Sequence, residues 1–319
     1  MMYEPTRDSD RPELFNQDVF LTRRRFLEAL AATSAGLLCG APSFARADYA
    51  ASSGLQRQVQ ELLYRMQAEG LLAPGERTAW SVYDFNAGKK LLSINEDAPR
   101  QAASMIKPFV AQAYFFEVKN SRGQVRYTED VRETMERSIQ HSNNAATNRL
   151  MDLVSSHQSG RGPRDVEVVL KSNAPAVFQQ TRVVEKIPVT GRTFNNLASA
   201  GDYTRFLISL WQDRLPYSGE LKGLMSLPNR DRICQGVDSM PPGVRVYDKT
   251  GSTSQLCGDM GIIDAPSYSG RRAPYIFVGI IERPYSAGNY HSWITRRSNA
   301  IRAVSNLVYL DMKARYRLA

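Results

Sequence analysis

The apolar pattern of this chain places strands near both ends of its body and helices between them. Few folds accommodate that order. Early on, "TAWSVYDF" and "KKLLSIN" flank "NAGK", and alternation about an Asn/Gly turn predicts a β-hairpin. Far downstream, apolar runs predict strands over 244–249, 259–263 and 275–282. A helix with Leu55, Val59, Leu62, Leu63 and Met66 on one face precedes the hairpin, and a long helix over 291–316 closes the chain. A lone hairpin is marginal in water. The two sets of strands are therefore expected to share one antiparallel sheet with helices packed on it, an α+β, three-layer domain.

The middle reads as helical. The run "FVAQAYFFEV" is apolar on every side and predicts a buried helix, preceded by "ASMIKPF" at 103–109. "TEDVRETMERSIQ" (128–140) begins at a plausible Thr128 N-cap, and "AATNRLMDLV" gives a third helix. Residues 158–195 are polar and rich in turn formers, and read as irregular. "SAGDYTRFLISLWQD" opens with Ser199 and Asp202 at capping-box spacing and predicts another helix.

The 319 residues carry a net charge of +9, spread as scattered arginine rather than in the clusters a nucleic-acid surface needs. The N-terminus is more specific. In "TRRRFLE" (22–28), Arg23 and Arg24 precede Phe26 and Leu27; an apolar run from Ala29 to Ala41 is too short to span a bilayer. Ala45-Arg46-Ala47 supplies a small-x-small cleavage site. The pattern resembles a twin-arginine (Tat) signal over 1–47, which implies the Tat export machinery as a partner and a periplasmic or otherwise exported domain over 48–319. Cys39 follows Leu38 where a lipoprotein signal needs a small residue. No membrane span is expected after cleavage. Cys234 and Cys257 then remain, as a disulfide or as two thiols. The isolated histidines His141, His157 and His291 and the cysteine spacings suggest no metal, and no nucleotide motif suggests a cofactor.

Three short motifs can carry chemistry. In "ASMIKPF", Ser104 and Lys107 sit three apart at a helix start, so hydroxyl and amine share a face. A serine becomes a nucleophile when a base takes its proton, and a neutral lysine serves once burial or a nearby cation lowers its pKa. In "HSNNAATN", Ser142 and Asn144 can face one cleft, or merely cap a helix. In "VYDKTGSTSQ", Lys249 and Thr250 suit a carboxylate, Gly251 permits close approach, and the Ser252 N–H can join that of Ser104 as an oxyanion hole. Each also reads as an ordinary helix start, cap or strand end.

The order Ser-x-x-Lys, Ser-x-Asn, Lys-Thr-Gly is far rarer than its members, and it resembles the class A β-lactamases and penicillin-binding proteins. The likeness covers nearly all of 48–319. "SVYDFNAGKKLLSINEDAPRQAASMIK" is similar to the family's hairpin and nucleophile, "SNNAATNRLM" to its second motif, and "RICQGVDSMPPGVRVYDKTGST" to its run into the third. "VEKIPVTGRTFNNLASAGDYTRFL" is similar to the exit from its omega loop. The resemblance implies an antiparallel sheet with N- and C-terminal helices plus an all-helical lobe. It implies Ser104 as the acylated nucleophile, Lys107 as its base and Ser142 as proton relay to the leaving nitrogen. Asn144 would bind a substrate amide, Lys249 and Thr250 its carboxylate, beside Gly251 and Ser252.

Two departures stand out. Aligned on "EKIP", Gln180 and Val184 occupy the places of the omega-loop Glu and Asn that serve deacylation, and neither is a general base. Glu167 lies upstream, and Glu185, next to Val184, is the candidate base if the loop register differs. Ser104 and Ser142 are also only 38 residues apart, shorter than the family's usual spacing, and Asn143 stands where β-lactamases usually have Asp. The expectation is an acyl-enzyme at Ser104 with a β-lactam, deacylating slowly. The alternatives are a D-Ala-D-Ala peptidase acting on peptidoglycan stem peptides, or a non-catalytic envelope binding protein on the same fold.

Overall fold

The computed structural model describes residues 54–188 and 195–319. The expected signal segment 1–47 lies outside them. Helix α1 (Gly54–Ala68) buries the predicted stripe of Leu55, Val59, Leu62, Leu63 and Met66. Strands β1 (Arg77–Asp84) and β2 (Lys89–Ile94) form the predicted hairpin, with Trp80 opposite Ile94. Its turn is held by the Asp84 carboxylate, which accepts from the N–H groups of Asn86 and Ala87 at 2.9 and 3.2 Å.

Strands β5 (Arg245–Ser252), β6 (Leu256–Pro266) and β7 (Arg272–Glu282) complete a five-stranded antiparallel sheet in the order β2-β1-β7-β6-β5. The N-terminal hairpin therefore adds directly to β7, as the two-ended strand pattern requires. Strand β6 is buried along nearly its whole length, the signature of a strand covered on both faces. Helices α1 and α8 (Tyr290–Tyr316) cover one face; α6 (Ala200–Trp211) packs against β1 and β7 on the other.

The helical lobe is built around α2 (Lys107–Asn120), whose residues from Lys107 to Glu117 are all buried. It is surrounded by α3 (Glu129–Ile139), α4 (Asn144–Ser156), α5 (Pro163–Asn173) and α7 (Ser218–Met225). Phe109 stacks among Phe178, Tyr203 and Phe206 with ring centroids 4.9–5.1 Å away. Burying one such ring contributes about 1.5–3 kcal/mol, so this cluster ties α2 to α6 and to the loop after α5.

The segment expected to be irregular contains α5. It starts at Pro163, a residue suited to the first helical turn, after Gly162 at φ +67°. Its apolar stripe, Val166, Val169 and Leu170, is short and flanked by charges, so the periodicity is weak. Helix α7 and a two-stranded ladder of β3 (Arg100–Gln101) with β4 (Leu197–Ala198) were likewise not foreseen. Cys234 and Cys257 are both free thiols, the second buried on β6. Among the described residues no helix is long and apolar enough to cross a membrane.

Candidate active site

Ser104 lies in a 3-10 turn (Ala103–Ile106) that runs directly into α2. Ala103 sits at φ +45°, a left-handed conformation costing a non-glycine residue about 1–3 kcal/mol. The Ser104 carbonyl accepts from the Lys107 N–H, which fixes the two residues in one turn. Glycines on the sheet admit this turn closely. A Cβ on Gly251 would meet Met105 Cγ at 3.0 Å and Ala103 Cβ at 3.1 Å, and one on the facing Gly258 would meet Met105 Cε at 2.7 Å. The glycine of the third motif thus brings β5 against the turn that carries the serine.

Lys107 is wholly buried. Its Nζ donates to the Ser142 carbonyl, to Ser142 Oγ at 3.1 Å and to Asn144 Oδ1 at 2.9 Å. The "SNN" motif divides its labour to allow this. Asn143 caps α4, accepting from the Ala146 N–H at 2.8 Å. Ser142, at φ +54°, and Asn144 are left to face Lys107. The capping role expected as an alternative for this motif falls to its middle residue, where Asn serves as well as Asp. Burial lowers the Lys107 pKa to about 7, and the Lys249 cation pushes it the same way. An uncharged amine is then abundant at neutral pH, the state a proton acceptor needs.

On β5, alternation turns Lys249 and Gly251 toward the serine turn, and Thr250 and Ser252 toward the other face of this edge strand. Lys249 is 2% exposed. Burial lowers its pKa to about 8, with Asp248 and Asp259 opposing the fall. A buried cation is costly, and an incoming carboxylate offsets that cost. Sequence reasoning assigned no role to Arg232, which braces this strand. Its guanidinium donates to the carbonyls of Gly251 and Gly258 at 3.2 and 2.7 Å and to Ser252 Oγ. Only the fold reveals it, since it lies in an irregular segment well before the motif.

The loop after α5 is firmly held over 177–188. Buried Asp202 accepts from the N–H groups of Gln179 and Gln180 at 3.2 and 2.9 Å and from Thr181 Oγ1 at 2.6 Å. Only half of the expected capping box forms: Ser199 Oγ accepts from the Asp202 N–H at 3.0 Å, while the Asp202 carboxylate turns to the loop. Asn196 Oδ1 accepts from the N–H groups of Val184 and Glu185, and Asn148 pairs with both backbone groups of Ile187. Asn144 Nδ2 reaches the Pro188 carbonyl at 3.2 Å, linking the loop to the lysine. The side chains of Gln180 and Val184 are exposed. The Glu185 carboxylate accepts from the N–H and Nδ2 of Asn195 at 2.6 and 2.7 Å, and Glu167 binds the Val183 N–H and Lys171.

The chain belongs to the Beta-lactamase enzyme family, which it matches over residues 121–311. Its fold is that of the serine β-lactamases, an antiparallel sheet with flanking helices. It is similar to PBP-A, a point mutant of which was solved as an acyl-enzyme complex with penicillin-G (21% identity, TM-score 0.63, 82% of this chain and 96% of that one). It is also similar to a class A β-lactamase of the last common ancestor of Gram-negative bacteria (21%, 0.60, 82% and 100%). A β-lactamase from Xanthomonas campestris pv. campestris gives 19% identity and a TM-score of 0.60, covering 80% of this chain and 97% of the other. No curated protein matches in sequence. The chain is thus a β-lactamase-like serine hydrolase.

Proposed function

We propose that this hydrolase opens β-lactam amides through an acyl-enzyme at Ser104 and releases the product slowly. The observation that carries the reading is the buried Lys107, poised near neutrality and hydrogen-bonded to both Ser142 and Asn144. Lys107 takes the proton as Ser104 Oγ attacks the carbonyl carbon. The N–H groups of Ser104 and Ser252 hold the oxyanion. The C–N bond then breaks, and Ser142 passes a proton to the leaving nitrogen. Lys249 receives the carboxylate that a penicillin carries. Asn144 serves its side-chain amide.

Hydrolysis of the ester needs a second proton acceptor beside an incoming water. Gln180 and Val184 have no such group, and both oxygens of Glu185 are engaged by Asn195, which makes Glu185 a loop brace. This same observation favours a second reading, a D-Ala-D-Ala peptidase acting on peptidoglycan stem peptides, which shares the acylating residues and the terminal carboxylate. Assaying β-lactam hydrolysis beside release of D-Ala from a stem peptide separates the two. The twin-arginine pattern at 22–28 supports export to the periplasm, where both substrates are met.

Two further results are expected. The rate of acylation by penicillin rises with pH through about 7, because only the neutral Lys107 accepts a proton; it is lost below that pH as the amine protonates. A stopped-flow profile flat across that range would exclude Lys107 as the base. Gln180→Glu leaves the backbone anchor to Asp202 in place. It is expected to speed deacylation, by up to about 10²-fold, seen as faster loss of the penicillin adduct. An adduct as persistent as in the parent would place the missing function elsewhere in the loop.

A further inference from the structure

Behind β5, on the face turned away from the serine, lies a cluster of buried carboxylates to which the reaction above gives no role. Asp248 is 3% and Asp259 0% exposed. Thr250 pairs with Asp259 across the β5–β6 ladder, and Asp248 is two residues from Thr250, so both carboxylates stand on one face. Asp248 Oδ1 accepts from Asn229 Nδ2 at 2.9 Å, and Asp259 Oδ2 accepts from the Arg232 N–H at 2.7 Å. The remaining oxygens, Asp248 Oδ2 and Asp259 Oδ1, are buried with no donor. The two carboxylates stand on one face of neighbouring strands, close enough to act on each other. Two ionised carboxylates have only acceptors to offer each other, whereas one proton held between them supplies a donor where both buried oxygens lack one.

Charge balance points the same way. The groups facing the pair are Asp231, Arg232 and Cys234 from the segment before β5, Lys249 on β5, Cys257 on β6 and Arg302 on α8. Three carboxylates thus stand against two guanidiniums. One shared proton makes the cluster behind the strand neutral, with Lys249 as the excess cation in front. Burial pushes the Asp248 carboxyl up to about 7, Asp231 adding to the rise, and pushes Asp259 upward too.

We propose that Asp248 and Asp259 share one proton behind β5 and act as a positioning pair for Lys249, releasing that proton as the pH rises so that Lys249 keeps its own. The proposal rests on the reading of Lys249 as the group that receives the substrate carboxylate. When the pair loses its proton, its charge goes from −1 to −2, and the added negative charge holds the lysine cationic where burial alone would discharge it. The pair therefore extends carboxylate recognition to higher pH without touching substrate.

The variants Asp259→Asn and Asp248→Asn test this. Each keeps the shape and a hydrogen-bond donor, but fixes the pair at a charge of −1. Both are expected to move the alkaline limb of penicillin acylation down by at least about one pH unit, the effect of one charge within about 12 Å at an effective dielectric of about 20. The change should lie in the apparent binding constant. The acid limb set by Lys107 should stay in place, and a penicillin methyl ester should show no shift. A stationary alkaline limb in folded variants, or an equal shift for the ester, overturns the proposal. Infrared spectra of the unliganded, unsubstituted chain give an independent reading that needs no substrate and no variant. They should contain a protonated carboxyl band at neutral pH that fades above it. Absence of the band overturns the shared proton, whereas its presence without acylation would sink the substrate reading and leave the pair standing.

Discussion

Replacing Ser104 by alanine abolishes covalent labelling by a fluorescent penicillin, while the folded chain and its melting temperature stay close to those of the parent. Ser104 Oγ has no hydrogen bond to another described residue, so its removal orphans no buried partner. The 3-10 turn is held by backbone bonds, from the Lys107 N–H to the Ser104 carbonyl and from the Met105 N–H to the Ala102 carbonyl at 3.1 Å. These survive the substitution. Loss of the nucleophile removes the covalent route entirely. Gel fluorescence beside a thermal melt checks both halves. Labelling that persists in Ser104→Ala would place the acylated group elsewhere. A parent chain that never labels would favour a binding protein that reuses the fold.

Lys107→Met separates activity from stability. Methionine nearly fills the lysine's volume, and an apolar replacement for a buried cation often leaves stability unchanged or raised. Here Ser142 and Asn144 Oδ1 lose their partner, which offsets the desolvation relieved. The expected change in stability is small, within about 1–2 kcal/mol. Acylation, in contrast, falls by about 10²- to 10⁴-fold, the usual worth of a positioned general base. Rapid-mixing acylation rates and a denaturant titration give the two numbers. An acylation rate within about tenfold of the parent would leave the lysine a packing residue and make another group the base.

Much of this was legible in the sequence because it depends on local rules. The hairpin at 77–94 follows from alternation around a turn. Thr128 caps α3 as its position before an amphipathic run requires. The all-apolar run after Lys107 foretold a helix buried on every side, which is what desolvates the lysine. The resemblance carried by the three motifs pointed to one cleft; the structure joins Lys107 to Ser142 and Asn144, and among the described residues Ser104 Oγ has no hydrogen bond to the lysine.

What escaped depends on partners distant in sequence. Asp202 looked like half of a capping box, yet its carboxylate serves a loop more than twenty residues away. Arg232 acts through the carbonyls of two strands it does not belong to. The division of "SNN" into one cap and two lysine ligands needs the left-handed backbone at Ser142, which no propensity scale forecasts for serine. Helix α5 was hidden because its buried apolar stripe is short, Val166, Val169 and Leu170, and Val168 lies off it on the exposed side, which blurs the periodicity.

Intact-mass spectrometry of the parent chain after mixing with penicillin tests the central claim most directly. The account predicts a single adduct with the mass of the whole drug, absent from Ser104→Ala and still present long after acylation is complete. No adduct at any time would contradict acylation at Ser104. Rapid return to the free mass with continuing turnover would contradict slow release.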